Sequence, residues 1–126
     1  MKLFIIILLA FATTDCSNKK VGSSSCYKGR LEIKGICSNY TIKVLDGNID
    51  TTKFQARWTD EHTGKEYTNV FGLNSPCDFP DTINEGEEFY FTIENEGKEG
   101  CMVCQAYYPT PAKKLHIRVL SQPCTQ

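Results

Sequence analysis

Residues 85–93 read Glu-Gly-Glu-Glu-Phe-Tyr-Phe-Thr-Ile, and their pattern has a period of two. Phe89, Phe91 and Ile93 fall on one side, and Glu88, Tyr90 and Thr92 fall on the other. Alternation of this kind marks a half-buried strand. The preceding Asn84-Glu85-Gly86-Glu87 is a turn signal. The same grammar recurs outward along the chain. Leu31 and Ile33 alternate with Arg30, Glu32 and Lys34, and Gly35 permits a bend or bulge. Tyr40, Ile42 and Val44 alternate with Thr41 and Lys43, and Asp46-Gly47 closes that strand. Phe54, Ala56 and Trp58 make an inward row, and residues 53–73 read as a hairpin about the polar turn 60–65. Residues 101–108 are apolar and read as a further strand, broken by Pro109 and Pro111. Leu115, Ile117 and Val119 form the last inward row, with His116 and Arg118 outward.

Six or seven short strands and no long helical pattern predict an all-β domain. Two architectures fit: a small disulfide-stapled barrel of OB type, or an immunoglobulin-like β-sandwich. The passage from Asn69 through Phe91 runs from a strand through a Pro-containing loop into Glu85-Gly86-x-x-Phe89-x-Phe91. It looks like the strand-to-strand passages of small OB-like barrels.

The chain has 126 residues, which fits one domain. Lys plus Arg total 14 and Asp plus Glu 15, a balance that argues against nucleic acid as a partner. Leu3 to Ala12 is apolar throughout and follows Met1-Lys2. The run is shorter than the ~20 residues that span a bilayer and matches the core of an export signal. Two endpoints compete. Ala10-Phe11-Ala12 fits ordinary signal cleavage. Cys16, followed by polar Ser17-Asn18-Lys19-Lys20, resembles the lipidated cysteine of bacterial lipoprotein signals. Asp15 and Thr13 depart from that pattern, which usually has a small residue before the cysteine and an aliphatic one at Thr13. The expected organisation is a signal peptide over 1–15, an anchor cysteine and flexible tether over 16–25, and one β domain over 26–126. The lipoprotein resemblance implies a membrane partner through the anchor and a place in the cell envelope, periplasmic or at the surface. Ordinary secretion is the alternative.

The seven cysteines are Cys16, Cys26, Cys37, Cys77, Cys101, Cys104 and Cys124. With Cys16 lipidated, six remain, enough for three disulfides in an exported domain. About 15 pairings are open to six cysteines, and the sequence does not choose.

Cys101-x-x-Cys104 has three readings. A redox pair needs a helix N-terminus in a βαβ setting, and this context reads as a strand. A zinc site needs a second pair of ligands, and none is spaced for it. Structural disulfides remain, the two cysteines facing opposite sides and taking different partners. His62 lies in a polar turn and His116 on an outward strand position. Glu85, Glu87, Glu88, Glu94, Glu96 and Glu99 read as a charged rim without a calcium-loop spacing. No catalytic, metal or cofactor motif emerges. Tyr90, Tyr107 and Tyr108 are the expected binding face, suited to protein or carbohydrate contacts.

Tyr27-Lys28-Gly29-Arg30, Val44-Leu45-Asp46-Gly47, Cys77-Asp78-Phe79-Pro80, the stretch 85–91 and Cys101-Met102-Val103-Cys104 together resemble small exported β domains of Bacteroidota. That group has no established activity, so the resemblance implies a compartment and no mechanism. The expected function is a lipid-anchored binding or structural module. The alternatives are a secreted thiol oxidoreductase using Cys101 and Cys104, or a secreted hydrolase inhibitor with its bait at 76–82 or 60–65.

Overall fold

A computed structural model describes residues 25–125. The segments expected to be an export signal, an anchor at Cys16 and a tether fall on residues 1–24 and lie outside the described residues. Six strands form in chain order: β1 (Cys26–Lys34), β2 (Tyr40–Asp46), β3 (Gln55–Thr59), β4 (Glu66–Leu73), β5 (Glu88–Glu94) and β6 (Lys114–Leu120). The all-β expectation holds. β1 pairs antiparallel with β2 and β5, β2 with β4, and β5 with β6. A short parallel contact, Gly72 to Lys114 and Leu73 to Leu115, joins β4 to β6. The pairings therefore run in a ring, β1–β2–β4–β6–β5 and back to β1. Closing a ring satisfies the backbone edges that an open sheet leaves exposed. OB-like and sandwich architectures are both compatible with it. β3 hairpins onto the first half of β4, outside the ring.

β1 shows why these residues close so tightly. Tyr27, Gly29, Leu31 and Ile33 are buried and alternate with half-buried residues. A Cβ on Gly29 would sit 2.9 Å from Phe91 Cε1 and 3.2 Å from Ile42 Cγ2, so glycine lets β1 approach the core rings. Those rings are Tyr27, Phe54, Phe71, Phe79, Phe89 and Phe91, which form one cluster with Leu31, Ile42, Val44, Leu73 and Ile117.

Three expectations are corrected. Residues 101–108 form no strand. Their composition suits one, but the neighbouring strands already pair with one another, and Pro109 and Pro111 prevent the segment from running on into β6. Of the row Phe54, Ala56 and Trp58, only Phe54 is buried; Ala56 is exposed and Trp58 half-buried. β3 lies outside the ring and has no core face to present. Thr41 is fully buried, not outward. The β1–β2 register shifts between Leu31 and Ile33, which turns Thr41 inward opposite Ile33. Its hydroxyl has no hydrogen-bond partner among the described residues.

Candidate binding site on the segment 101–108

Residues 101–112 carry no charged side chain, in a chain in which 23% of residues are charged. They form part of the connection between β5 and β6. Cys101 bonds to Cys77, and Cys104 bonds to Cys37. Cys26 bonds to Cys124, so all six domain cysteines are paired. Three disulfides in a domain of this size belong to an oxidising, extracytoplasmic setting. The two cysteines of the Cys-x-x-Cys sequence do take different partners, as expected, although from a loop and not from a strand. A dithiol couple of the thioredoxin kind needs them to bond to each other.

Each brace ends on a shaped turn. Cys77 lies in the single turn Pro76–Asp78, whose following Phe79 is buried. Cys37 lies in the turn Ile36–Ser38, where Cys37 (φ 55) and Ser38 (φ 58) are both left-handed. Left-handed backbone is disfavoured for residues with a Cβ, at an expense of order 1–3 kcal/mol each. The Asn39 side chain helps hold the turn, its Nδ2 donating to the Ile36 carbonyl at 2.8 Å and the Ala106 carbonyl at 3.2 Å. That second bond ties the turn to the segment.

The far end of the segment is also fixed. Pro109 and Pro111 are buried. The Tyr108 ring stacks on His62 at 5.0 Å and 14°. It also lies over Gly35, where a Cβ would stand 2.7 Å from its Cδ1. Gly35, just past β1, is extended, with φ −70 and ψ 159, and serves close approach; the bulges lie within β1. The Tyr107 hydroxyl donates to the Glu61 carboxylate at 3.4 Å. Asp60 shapes the turn that carries Glu61 and His62. Its carboxylate accepts from the His62 amide at 2.9 Å and the Thr63 hydroxyl at 3.0 Å. Burial, then the Asp60 charge, pushes the nearby Tyr67 phenol above its ordinary range.

Between these fixings the segment presents apolar side chains to solvent. Met102 is 93% exposed, Tyr107 77% and Ile36 59%, and Val103 is exposed beside them. Among the described residues, four of the five large exposed hydrophobic residues thus belong to this segment or to the turn disulfide-bonded to it; the fifth is Ile49. A groove of about 430 Å³ runs along residues 104–108 beside Asn39 and Lys114. A smaller one, about 260 Å³, lies between Val103, Asn74 and Pro76.

The three expected tyrosines do not gather on one face. Tyr107 and Tyr108 belong to the segment. Tyr90 pairs with Lys28 and Leu120, and Lys28 lies roughly 23 Å along β1 from Gly35 at 3.3 Å per residue. The Lys28 ammonium lies 5.9 Å from the Tyr90 ring and 3.0 Å from Glu88. The hydrogen bond that Lys28 donates to the Glu88 carboxylate raises its pKa above the ordinary lysine value. The rim carboxylates are engaged separately: Glu85 by the Lys34 amide, Glu87 by the Asn84 amide and Glu94 by Arg118. Among the described residues no group of three or more metal-ligating side chains converges. His116 Nε2 lies 3.1 Å from Asn74 Nδ2.

Ile36, Met102 and Val103 escape a reading of aromatic residues alone. The sequence signal for two of them is the uncharged run between paired cysteines. No family model matches the chain, and neither a characterised protein nor a solved structure does.

Proposed function

We propose that this chain is an exported binding module, anchored to a membrane through Cys16, that holds a protein partner on segment 101–108 and its flanking turns. One observation carries the reading: an uncharged, apolar, solvent-exposed segment is covalently pinned at two points. Exposed apolar surface costs solubility and is kept where a partner covers it. Pinning removes most of the ordering entropy that a free loop loses on binding.

The place in the fold supports the same reading. With β3 set aside as an added hairpin, the ring order and its parallel contact suit an OB-like barrel. Barrels of that type bind ligands through the connection between their first two strands, the connection between their last two, and the face between. Here those connections are the Ile36–Ser38 turn and the loop containing 101–108. Met and Tyr, with charges excluded, are the composition of a protein interface core. A carbohydrate site would set its aromatic platform among several polar groups, and here Gln105 is the only long polar side chain between Cys101 and Tyr108.

A photo-crosslinking residue placed at 102 or 107 in the producing cell yields a discrete adduct in the membrane fraction. The same residue at Ile49, exposed but remote in sequence, yields none. With Cys16→Ala the adduct moves to the soluble fraction. Equal labelling from 102 and 49, or none from 102, contradicts the binding surface. An adduct that stays with membranes without Cys16 contradicts the anchor.

A further inference from the structure

A peptidase cleft receives its substrate as an extended segment, through main-chain hydrogen bonds and one side chain seated in a specificity pocket. A segment that fills such a cleft needs an exposed side chain, free backbone groups and a fixed shape. Residues 101–105 have all three. Met102 is the most exposed large hydrophobic side chain of the described residues. The backbone amides and carbonyls of 101–105 make no hydrogen bond with any other described residue. The braces at Cys101 and Cys104 stand on either side of the Met102–Val103 bond. The other loops suit the role less. The stretch 76–82 is drawn inward, with Phe79 buried and the Asp81 carbonyl held by Lys34 Nζ at 2.8 Å. The 60–65 turn supports Tyr107 and Tyr108.

We infer that the segment is the bait of a peptidase inhibitor, with Met102 entering the apolar specificity pocket of a serine peptidase and Met102–Val103 presented as the scissile bond. The inference rests on the segment being a binding surface and names the class of partner. Charge selects the pocket: with no charged residue from 101 to 112, the bait has nothing to pair with an acidic or basic one.

The double brace explains why such a bait inhibits instead of being consumed. The peptidase serine oxygen attacks the Met102 carbonyl carbon. The bond to the Val103 nitrogen breaks, and the serine proton passes to that nitrogen. In a free peptide the amine would diffuse away and water would release the acyl group. Here Met102 stays tied through Cys101 to Cys77, and Val103 through Cys104 to Cys37, on one folded body. The amine is held near the acyl carbon at high effective concentration. It re-attacks, the serine recovers its proton, and the intact bond re-forms.

The test is inhibition by the full mature chain with its disulfides intact, measured against chymotrypsin, subtilisin and trypsin. The expected result is inhibition of the first two and none of trypsin. Met102→Lys, at a solvent-exposed position that leaves melting unchanged, transfers inhibition to trypsin. It weakens the chymotrypsin complex by about 30-fold or more, the loss expected for a binding hot spot. Absence of inhibition at micromolar concentration, rapid digestion without inhibition, or unchanged selectivity in Met102→Lys overturns the inference. A specific adduct from position 102 to a protein that is no peptidase, without inhibition, removes the bait and leaves the binding surface standing. Loss of both removes both.

Discussion

Replacing Cys26 and Cys124 together by serine lowers the unfolding free energy by about 4–5 kcal/mol, in the chain-entropy account of cross-links. The two cysteines are 98 residues apart, so their bond closes nearly the whole domain and restricts the unfolded chain most. The bond also has a local role. Cys26 opens β1 opposite Thr92 of β5, and Cys124 follows β6, which pairs with the same strand. The bridge thus clasps β1, β5 and β6 at the chain ends. For a domain of about 100 residues each kcal/mol moves the melting midpoint by about 4–8 °C, so the midpoint falls by roughly 15–40 °C. Thermal melts followed by fluorescence of the single Trp58 check this. A fall of less than about 5 °C would place the stability elsewhere.

Phe91→Ala is the second large loss, about 3–5 kcal/mol. Phe91 is fully buried at the middle of β5. Its ring stacks on Tyr27 of β1 at 5.3 Å and meets Phe71 of β4 at 5.6 Å and Phe89 at 5.9 Å. It therefore joins strands from different parts of the ring. The absent Cβ of Gly29 shows how closely its ring is enclosed, so the neighbours have little room to collapse into the space it vacates. Urea unfolding of Phe91→Ala measures the loss directly. Tyr107→Ala, exposed at the candidate site, changes stability by less than about 0.5 kcal/mol in the same assay. A loss below about 1.5 kcal/mol for Phe91→Ala would mean that the centre of the ring is loosely packed.

The strands that proved readable are those whose two faces meet different surroundings. Phe89 and Phe91 against Glu88 and Tyr90, or Leu31 and Ile33 against Arg30 and Lys34, record an inside and an outside directly. The hairpin 53–73 was legible as a pair of strands because the 60–65 turn announces it. Its inward row was not, because β3 attaches outside the ring and its alternation reports no core. The segment 101–108 shows the opposite failure. Val103, Tyr107 and Tyr108 favour extended backbone, but a strand also needs a partner edge, and whether one is free depends on the whole topology. The same holds for the site. The uncharged run around Met102 stands in the sequence. Ile36 does not, because it arrives through a disulfide between residues 67 positions apart. Tyr90 shares a residue type with Tyr107 and Tyr108 and no location.

Presentation of segment 101–108 requires Cys101 and Cys104 to be separate braces. Trypsin and cyanogen bromide together decide it, because cyanogen bromide cleaves after Met102, between the two cysteines. Without reduction, peptide 99–102 should be joined to 66–98, peptide 103–113 to 35–43, and peptide 21–28 to 119–126. Peptides 99–102 and 103–113 joined to each other, or a free thiol at either cysteine, would contradict it.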